Sequence, residues 1–405
     1  MNAAVETLAT PLSALAPCEA CGSAELRRFG PEFATPVNNA RVFRDRAEAL
    51  AVPVGGVALA LCAGCGFVQN VEYDPALVAY DAGYEEQQSF SPRFVAFADA
   101  LAEDLVRRWD LRGKRIVEIG CGKGDFLAKL CELGRNVGVG IDPTAAAQRL
   151  SGPGASRVTF RSELYPRSAP PLEADALVCR HTLEHIPDVR AFLAAVRRSL
   201  AGSTRTRLFF EVPDALRVLR EGAFWDVYYE HCSYFTPGSL ARLFRREGFV
   251  VDDVRLGFDD QYVLLEARLD RGGPARPAIA GEDDFAAVEA AASAYELTVE
   301  RAVARWRNEI AARTARGERV ALWGSGSKCV SFLSVAGVAA DIDAVVDVNP
   351  YRQGRHLPGS GTLVEAPSVL AERRPDLVVV MNPVYVEEIS ASLAAMRVDA
   401  HVEAL

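Results

Sequence analysis

Residues 113–142 constrain the fold of this chain more than any other stretch. Gly113-Lys114-Arg115-Ile116 leads through a turn into the apolar run Val117-Glu118-Ile119. Glycines follow at Gly120, Gly122 and Gly124, and Asp125-Phe126-Leu127-Ala128-Lys129-Leu130 has the spacing of an amphipathic helix. A second strand over 136–141 ends at Asp142, 22 residues after Gly120. Strand, glycine turn, helix, strand is the opening unit of a doubly wound α/β sheet, in which ligands bind beyond the carboxyl ends of the strands. An acidic residue ending the second strand can grip a ribose diol. The alternate G-x-G-x-G spacing is not the G-x-G-x-x-G that sets a helix N-terminus on a pyrophosphate. Glu118, at the end of the first strand, would repel a pyrophosphate and suit an ammonium. A ligand with a ribose, a positive amino group and no phosphates fits this set. That points to S-adenosylmethionine on Glu118, Gly120, Gly122, Gly124 and Asp142; the alternative is a tight turn in an unrelated α/β domain.

Two C-x-x-C pairs, Cys18-Glu19-Ala20-Cys21 and Cys62-Ala63-Gly64-Cys65, are the second strong signal. Each sits on a turn, and two such knuckles complete a tetrahedral S4 site. Zinc on Cys18, Cys21, Cys62 and Cys65 would be structural, because all four positions are filled by protein. A redox C-x-x-C usually precedes a helix in a thioredoxin-like unit, and neither pair does. The other five of the nine cysteines are scattered, which fits a reducing cytoplasm better than a disulfide framework. The first 17 residues have no positive n-region and carry Glu6, so they do not read as a signal peptide. No apolar run approaches 18 residues, so no membrane span is expected. The formal charge of −9 argues against broad nucleic-acid binding. A chain of 405 residues, half of them apolar, has length for two or three domains and ample apolar material for their cores.

The α/β pattern continues with candidate strands at 158–160, 174–179 and 208–212. The helix expected from Ser91 carries Phe94, Phe97, Ala98, Leu101 and Leu105 on one stripe. The segment before it, Tyr80 to Ser89, is polar and aromatic together and reads either as a solvated loop or as a lid over the cofactor. The 174–179 strand ends in Arg180-His181-Thr182-Leu183-Glu184-His185, which should bring Arg180 and His181 near the methionine end of the cofactor. His185, further along, reads as structural. Titratable and aromatic side chains are densest in Trp225-Asp226-Val227-Tyr228-Tyr229-Glu230-His231-Cys232-Ser233-Tyr234-Phe235. In a domain that already has a cofactor site, His231 is the candidate base, with Glu230 or a tyrosine orienting its ring. Asp270 to Pro277 has linker composition, and 285–314 reads as one long helix. A second strand–glycine loop–helix unit begins at Arg319-Val320-Ala321-Leu322-Trp323-Gly324-Ser325-Gly326-Ser327-Lys328, followed by buried strands at 342–348 and 376–381. Lys328 at a helix start reads either as a phosphate ligand or as a solvated lysine after a tight turn.

The 118–124 stretch resembles motif I of class I methyltransferases. With the cysteine pairs it is similar to the pattern of sugar C-methyltransferases that act on nucleotide-linked deoxysugars. Tyr228-Tyr229-Glu230-His231-Cys232-Ser233-Tyr234-Phe235 resembles that family's Y-x-E-H-x-S-Y-F. Asp347-Val348-Asn349-Pro350-Tyr351-Arg352-Gln353-Gly354, with Pro358-Gly359, resembles its D-x-N-P-x-K-Q-G and P-G. The resemblance covers nearly the whole chain. It implies a zinc-binding domain at 1–75 and a Rossmann-like S-adenosylmethionine-binding core at 76–270. A linker and long helix would follow at 271–316, and a smaller Rossmann-like substrate-binding domain at 317–405. It also implies a small-molecule substrate, such as a nucleotide-sugar, lying between core and C-terminal domain. His231 would act as base with Tyr228 and Glu230 beside it, and Tyr84, Tyr229, Lys328 and Asn349 would contact substrate. The chain departs from the family at Gly324-Ser325-Gly326-Ser327-Lys328-Cys329, in place of G-A-x-x-K-G. Glu86-Gln87 stands where a tyrosine–histidine pair is usual, and Met381-Asn382-Pro383-Val384-Tyr385 replaces a tryptophan–asparagine stretch. These changes lie where substrate should bind. The alternatives are O- or N-methylation on the same scaffold, and a non-catalytic binding protein that keeps the fold.

Overall fold

The computed structural model describes residues 15–405 apart from 82, 146, 166, 167, 169, 204 and 273–276. The leader reading of the first 17 residues and the linker reading of 270–277 fall largely outside the described residues. The central sheet has seven strands, labelled here β1 Arg115–Ile119, β2 Val137–Ile141, β3 Val158–Arg161, β4 Ala176–Arg180, β5 Arg207–Pro213, β6 Phe249–Gly257 and β7 Tyr262–Leu269. Their spatial order is β3-β2-β1-β4-β5-β7-β6. The first five are parallel, and β7 runs antiparallel to both β5 and β6. Every residue of β4 is buried, the pattern of a strand covered on both faces. The order reverses between β1 and β4, so the crevice at their carboxyl ends is the switch point of the sheet. Glu118 and Arg180 stand there.

Local chemistry sets the elements around that crevice. The helix Pro92–Arg108 starts at Ser91, whose hydroxyl accepts from the Phe94 N–H, with Pro92 in the first turn where its missing N–H costs nothing. It buries Phe94, Leu101, Ala102, Leu105 and Val106. The turn between β1 and the helix Asp125–Gly134 has positive φ at Gly120 (69°), Gly122 (52°) and Gly124 (88°), which glycine adopts without steric cost. A Cβ on Gly120 would come within 1.8 Å of the Thr182 hydroxyl, so that turn admits no side chain.

The N-terminal residues form an antiparallel sheet of Leu26–Arg28, Leu59–Cys62 and Val68–Asn70. Its fourth strand, Ser233–Tyr234, arrives from far along the chain and sets Ser233 opposite Gln69 and Tyr234 opposite Val68. The last sheet has six strands in the order Arg355–His356, Leu363–Glu365, Ala344–Val346, Val320–Trp323, Leu377–Val380 and His401–Ala404, parallel except at Arg355–His356. The helix Phe285–Ala315 buries Val288, Ala291, Ala292, Tyr295, Val299, Trp306 and Ile310. These side chains join one apolar core shared by the N-terminal strands, the Ala215–Tyr234 region and the last sheet. Among the described residues no helix is long and apolar enough to cross a membrane.

Candidate active site and zinc site

The four knuckle cysteines converge. Cys18 Sγ lies 3.7 Å from Cys65 Sγ, and Cys21 Sγ lies 3.5 Å from Cys62 Sγ. All four sulfurs lie within 4.8 Å of one another. A zinc–sulfur bond of ~2.3 Å sets the sulfurs of a tetrahedron about 3.8 Å apart, so the donor set fits one structural zinc ion with no position left open. The nine cysteines are free of disulfides.

A cleft of about 910 Å³ runs from the carboxyl ends of β1 and β4 to the last sheet. On its cofactor side stand Glu118, Gly120, Gly122, Asp142, Arg180 and His181. Asp142 ties the glycine turn to the second strand: one carboxylate oxygen accepts from the Gly122 N–H (2.9 Å), the other from the N–H and hydroxyl of Thr144 (2.7 Å each). Glu118 is buried, and its Oε2 has no hydrogen-bond partner. Burial pushes its carboxyl up to about 8, against the opposing pull of Arg180. An unpartnered buried carboxylate oxygen beside a cradle of glycines fits the ammonium end of S-adenosylmethionine. Gly124 does not line the cleft; a Cβ there would meet Phe160 at 2.6 Å, so its place is in the packing of the turn.

Arg180 and His181 are held by a carboxylate that sequence reading passed over. Glu211, on β5 and fully buried, accepts from Arg180 Nε (3.0 Å) and Nη2 (2.9 Å) and pairs with His181 Nε2 at 2.7 Å. Burial opposes both charges, but Arg180 and His181 hold Glu211 down to about 2. Likewise burial would depress His181, yet Glu211 and Glu184 hold it up at about 9. His181 takes a positive φ of 46°, and its ring packs edge-on to Tyr262, 4.5 Å between centroids.

The facing side is assembled from distant segments. His231 is buried, and its imidazole has no hydrogen-bond partner among the described residues. It packs on Tyr228, 4.0 Å between centroids, and edge-on to His185 at 4.8 Å. Burial, then the nearby His185, His181 and Lys328, hold it well below the usual histidine range, so the ring is neutral. Burial raises the Tyr228 phenol well above its usual range. Tyr84 lines the cleft with its ring against Tyr80, and its carbonyl accepts from the buried Lys123 ammonium at 3.2 Å. Lys328 reaches the cleft but forms an ion pair with Asp226, which also takes Arg217 at 2.6 Å. Asn349 reaches it too, and its amide donates to Glu85 Oε1 (2.9 Å) and the Gln87 carbonyl (3.3 Å). The segment from Tyr84 to Ser91 is therefore pinned across the cleft.

Besides Gly124, three sequence readings change. Tyr229 lies outside the cleft: its hydroxyl accepts from the Asp74 N–H at 2.8 Å, its ring packs on Tyr73, and a Cβ on Gly55 would strike it at 2.2 Å. A turn over 228–231, closed by the His231 N–H donating to the Tyr228 carbonyl at 3.1 Å, sends Tyr228 and Tyr229 to opposite sides. Glu230 points away from His231, its Oε1 accepting from the Ala40 N–H at 3.3 Å, and burial raises its carboxyl to about 8. It acts instead through its carbonyl, which lies 3.0 Å from His185 Nδ1. His185, read as structural, faces His231 in the cleft. The one signal for it was its place on the loop that carries Arg180 and His181. Glu211 offered none, being one acidic residue inside an apolar strand.

Residues 91–254 match the family described as a methyltransferase domain, and residues 278–401 match the C-methyltransferase C-terminal domain. The chain is 30% identical over 296 residues to C-methyltransferase NovU of Streptomyces niveus, covering 68% of each protein. It is 26% identical over 167 residues to the ubiquinone biosynthesis O-methyltransferase of Thiobacillus denitrificans, covering 36% of this chain and 69% of the relative. Among solved structures, Burkholderia thailandensis 1,6-didemethyltoxoflavin-N1-methyltransferase, with bound 1,6-didemethyltoxoflavin and S-adenosylhomocysteine, superposes with a TM-score of 0.32. That match is 21% identical and covers 43% of this chain and 78% of the other, too slight a likeness to argue from.

Proposed function

The chain belongs to the family of S-adenosylmethionine-dependent C-methyltransferases, and on that premise we propose that it methylates a carbon next to a ketone, with His231 removing the proton first. The enzyme is a methyltransferase with a Rossmann-like core and a structural zinc. S-adenosylmethionine supplies a methyl group on a positively charged sulfur, an electrophile with its leaving group built in. What remains for the protein is to hold a carbon acid in line with that methyl group and to remove its proton. In this reading Glu118 takes the cofactor's ammonium, Asp142 its ribose, and Arg180 and His181 lie near its methionine end.

The observation that carries the reading is the His231 imidazole lining the cleft against Tyr228, with no hydrogen bond to any described residue. A ring with a free lone pair accepts a proton; one tied to Glu230 would not be as free to move with substrate. Tyr228, its phenol kept protonated by burial, stands against His231 to donate a hydrogen bond to the enolate oxygen. Residues 1–75 act as the zinc-bearing support, 76–270 as the cofactor core, and 271–316 as the linker and long helix that join them to 317–405. That last part brings Asn349 and Lys328 to the substrate. The substrate is a keto-sugar carried on a nucleotide, or a related small metabolite. A panel of nucleotide-linked and carrier-free keto-sugars, incubated with enzyme in deuterated water, tests the reading. The α-hydrogen of the true substrate should wash out with wild-type enzyme and not with His231→Ala. Methylated product formed at a near wild-type rate by the folded variant would overturn the base assignment and favour N-methylation, which needs little base.

A further inference from the structure

Glu184, His185 and His231 form a cluster in the wall of the cleft that proton abstraction alone does not use. Each brings a ligand atom within 4.8 Å of the other two. Glu184 is 2% exposed, and its Oε2 is buried with no hydrogen-bond partner. A carbonyl can only accept, so the 3.0 Å contact between His185 Nδ1 and the Glu230 carbonyl makes Nδ1 the protonated nitrogen and leaves Nε2 with its lone pair. A backbone carbonyl fixing one ring nitrogen while the other stays free is the outer support found around metal-binding histidines. The His231 ring has no partner of its own among the described residues and lies 4.8 Å from that of His185. Two imidazoles and one carboxylate, with the remaining direction open to the cleft, make a donor set for a borderline divalent transition ion such as zinc or cobalt.

We propose that Glu184, His185 and His231 form a second metal site, for a divalent transition ion of the zinc class, distinct from the four-cysteine site and exclusive with proton abstraction. An ion here takes the lone pair that His231 needs for the substrate proton, so a filled site is a stopped enzyme. That consequence rests on the reading of His231 as base; the site itself does not. It differs from the cysteine site in having three protein ligands and an open position, so it should exchange its ion far more readily.

The test uses the holoenzyme with its structural zinc in place, titrated with Co²⁺. A second equivalent should bind with the visible d–d absorption of nitrogen and oxygen ligands and without thiolate-to-cobalt charge transfer, and added Zn²⁺ should bleach it. Activity should fall in step with that band and return on treatment with a mild chelator that leaves the first zinc in place. Glu184→Gln and His185→Ala should each weaken the second equivalent about tenfold or more. Absence of the band from wild-type enzyme overturns the proposal without help from any variant, as does a band with thiolate charge transfer or one undiminished in both folded variants. A band that depends on Glu184 and His185 while activity stays intact upholds the site and overturns the base reading instead, so the two fail separately.

Discussion

The cofactor side of the cleft and the side that faces it are built differently. Glu118, Gly120, Gly122 and Asp142 come from 25 consecutive residues, and one strand–turn–strand unit places them all. The facing side draws Tyr84, His185, Tyr228, His231, Lys328 and Asn349 from segments as far apart as the one before the Pro92–Arg108 helix and the last sheet. No local rule places those together. The first side lies at the switch point of a sheet whose geometry is fixed by backbone pairing. The second depends on three sheets docking in one arrangement, and the four-stranded N-terminal sheet is where the docking is most exposed to failure. Ser233–Tyr234 closes that sheet two residues after His231, so the strand that pairs with the zinc module follows directly on the proposed base.

The strongest challenge to this contrast is zinc removal. Chelation should unfold the knuckle, release the Ser233–Tyr234 edge and abolish turnover, because structural zinc sites contribute apparent free energies on the order of 10 kcal/mol. Cofactor binding should survive in the same sample. Calorimetry on stripped protein showing equal loss of both would mean that the two sides are not independent. Next in size is His231→Ala, expected to cost about 10²–10⁴ in rate. Cofactor affinity should stay constant; a parallel loss of affinity would place the histidine on the cofactor side.

Asp142→Ala probes the other side and should weaken S-adenosylmethionine by about 1–3 kcal/mol, with the loosened Gly122 turn included in that loss. Unchanged affinity would put the ribose elsewhere. A smaller effect concerns pH. Glu118, raised to about 8 by burial despite Arg180, and with Asp125, Asp142 and Glu211 also pressing it up, must lose its proton to pair with an ammonium. Binding therefore releases a proton below pH 8, and affinity should rise about twentyfold from pH 6 to pH 8. Above that the gain should end, because an α-amino group itself loses its charge near pH 8. A Glu118→Gln variant that kept the full slope would assign the effect to another group. Smallest of all, Tyr229→Phe should cost about 1 kcal/mol of stability through the lost Asp74 bond and leave KM unchanged. A shifted KM would return Tyr229 to the substrate side.

Most corrections fall on the facing side; on the cofactor side only Gly124 leaves the cleft lining and Glu211 joins the site unannounced. The Y-Y-E-H-C-S-Y-F run marked the right place and left open which side chains enter the cleft. The turn there sets Tyr228 inward and Tyr229 outward, and Glu230 turns into the Ala40 loop. His185 looked like a turn residue because its partners are His231 and the Glu230 carbonyl, more than forty positions away. Lys328 looked free for a phosphate because Asp226, its ion-pair partner, lies 102 positions earlier.

By itself the sequence determined what short-range physics determines. Glycine spacing set the turn after β1, apolar runs set the five parallel strands of the central sheet to within two residues, and paired knuckles set the zinc ligands. These are carried by neighbours along the chain or by donor chemistry so specific that few arrangements satisfy it. Tertiary structure alone decided the ionisation of the site. Glu118 stays unpartnered, Glu211 holds Arg180 and His181, and His231 is left neutral because burial and long-range contacts fix those states. Burial is a property of what packs on top, and here that means segments tens of residues apart along the chain.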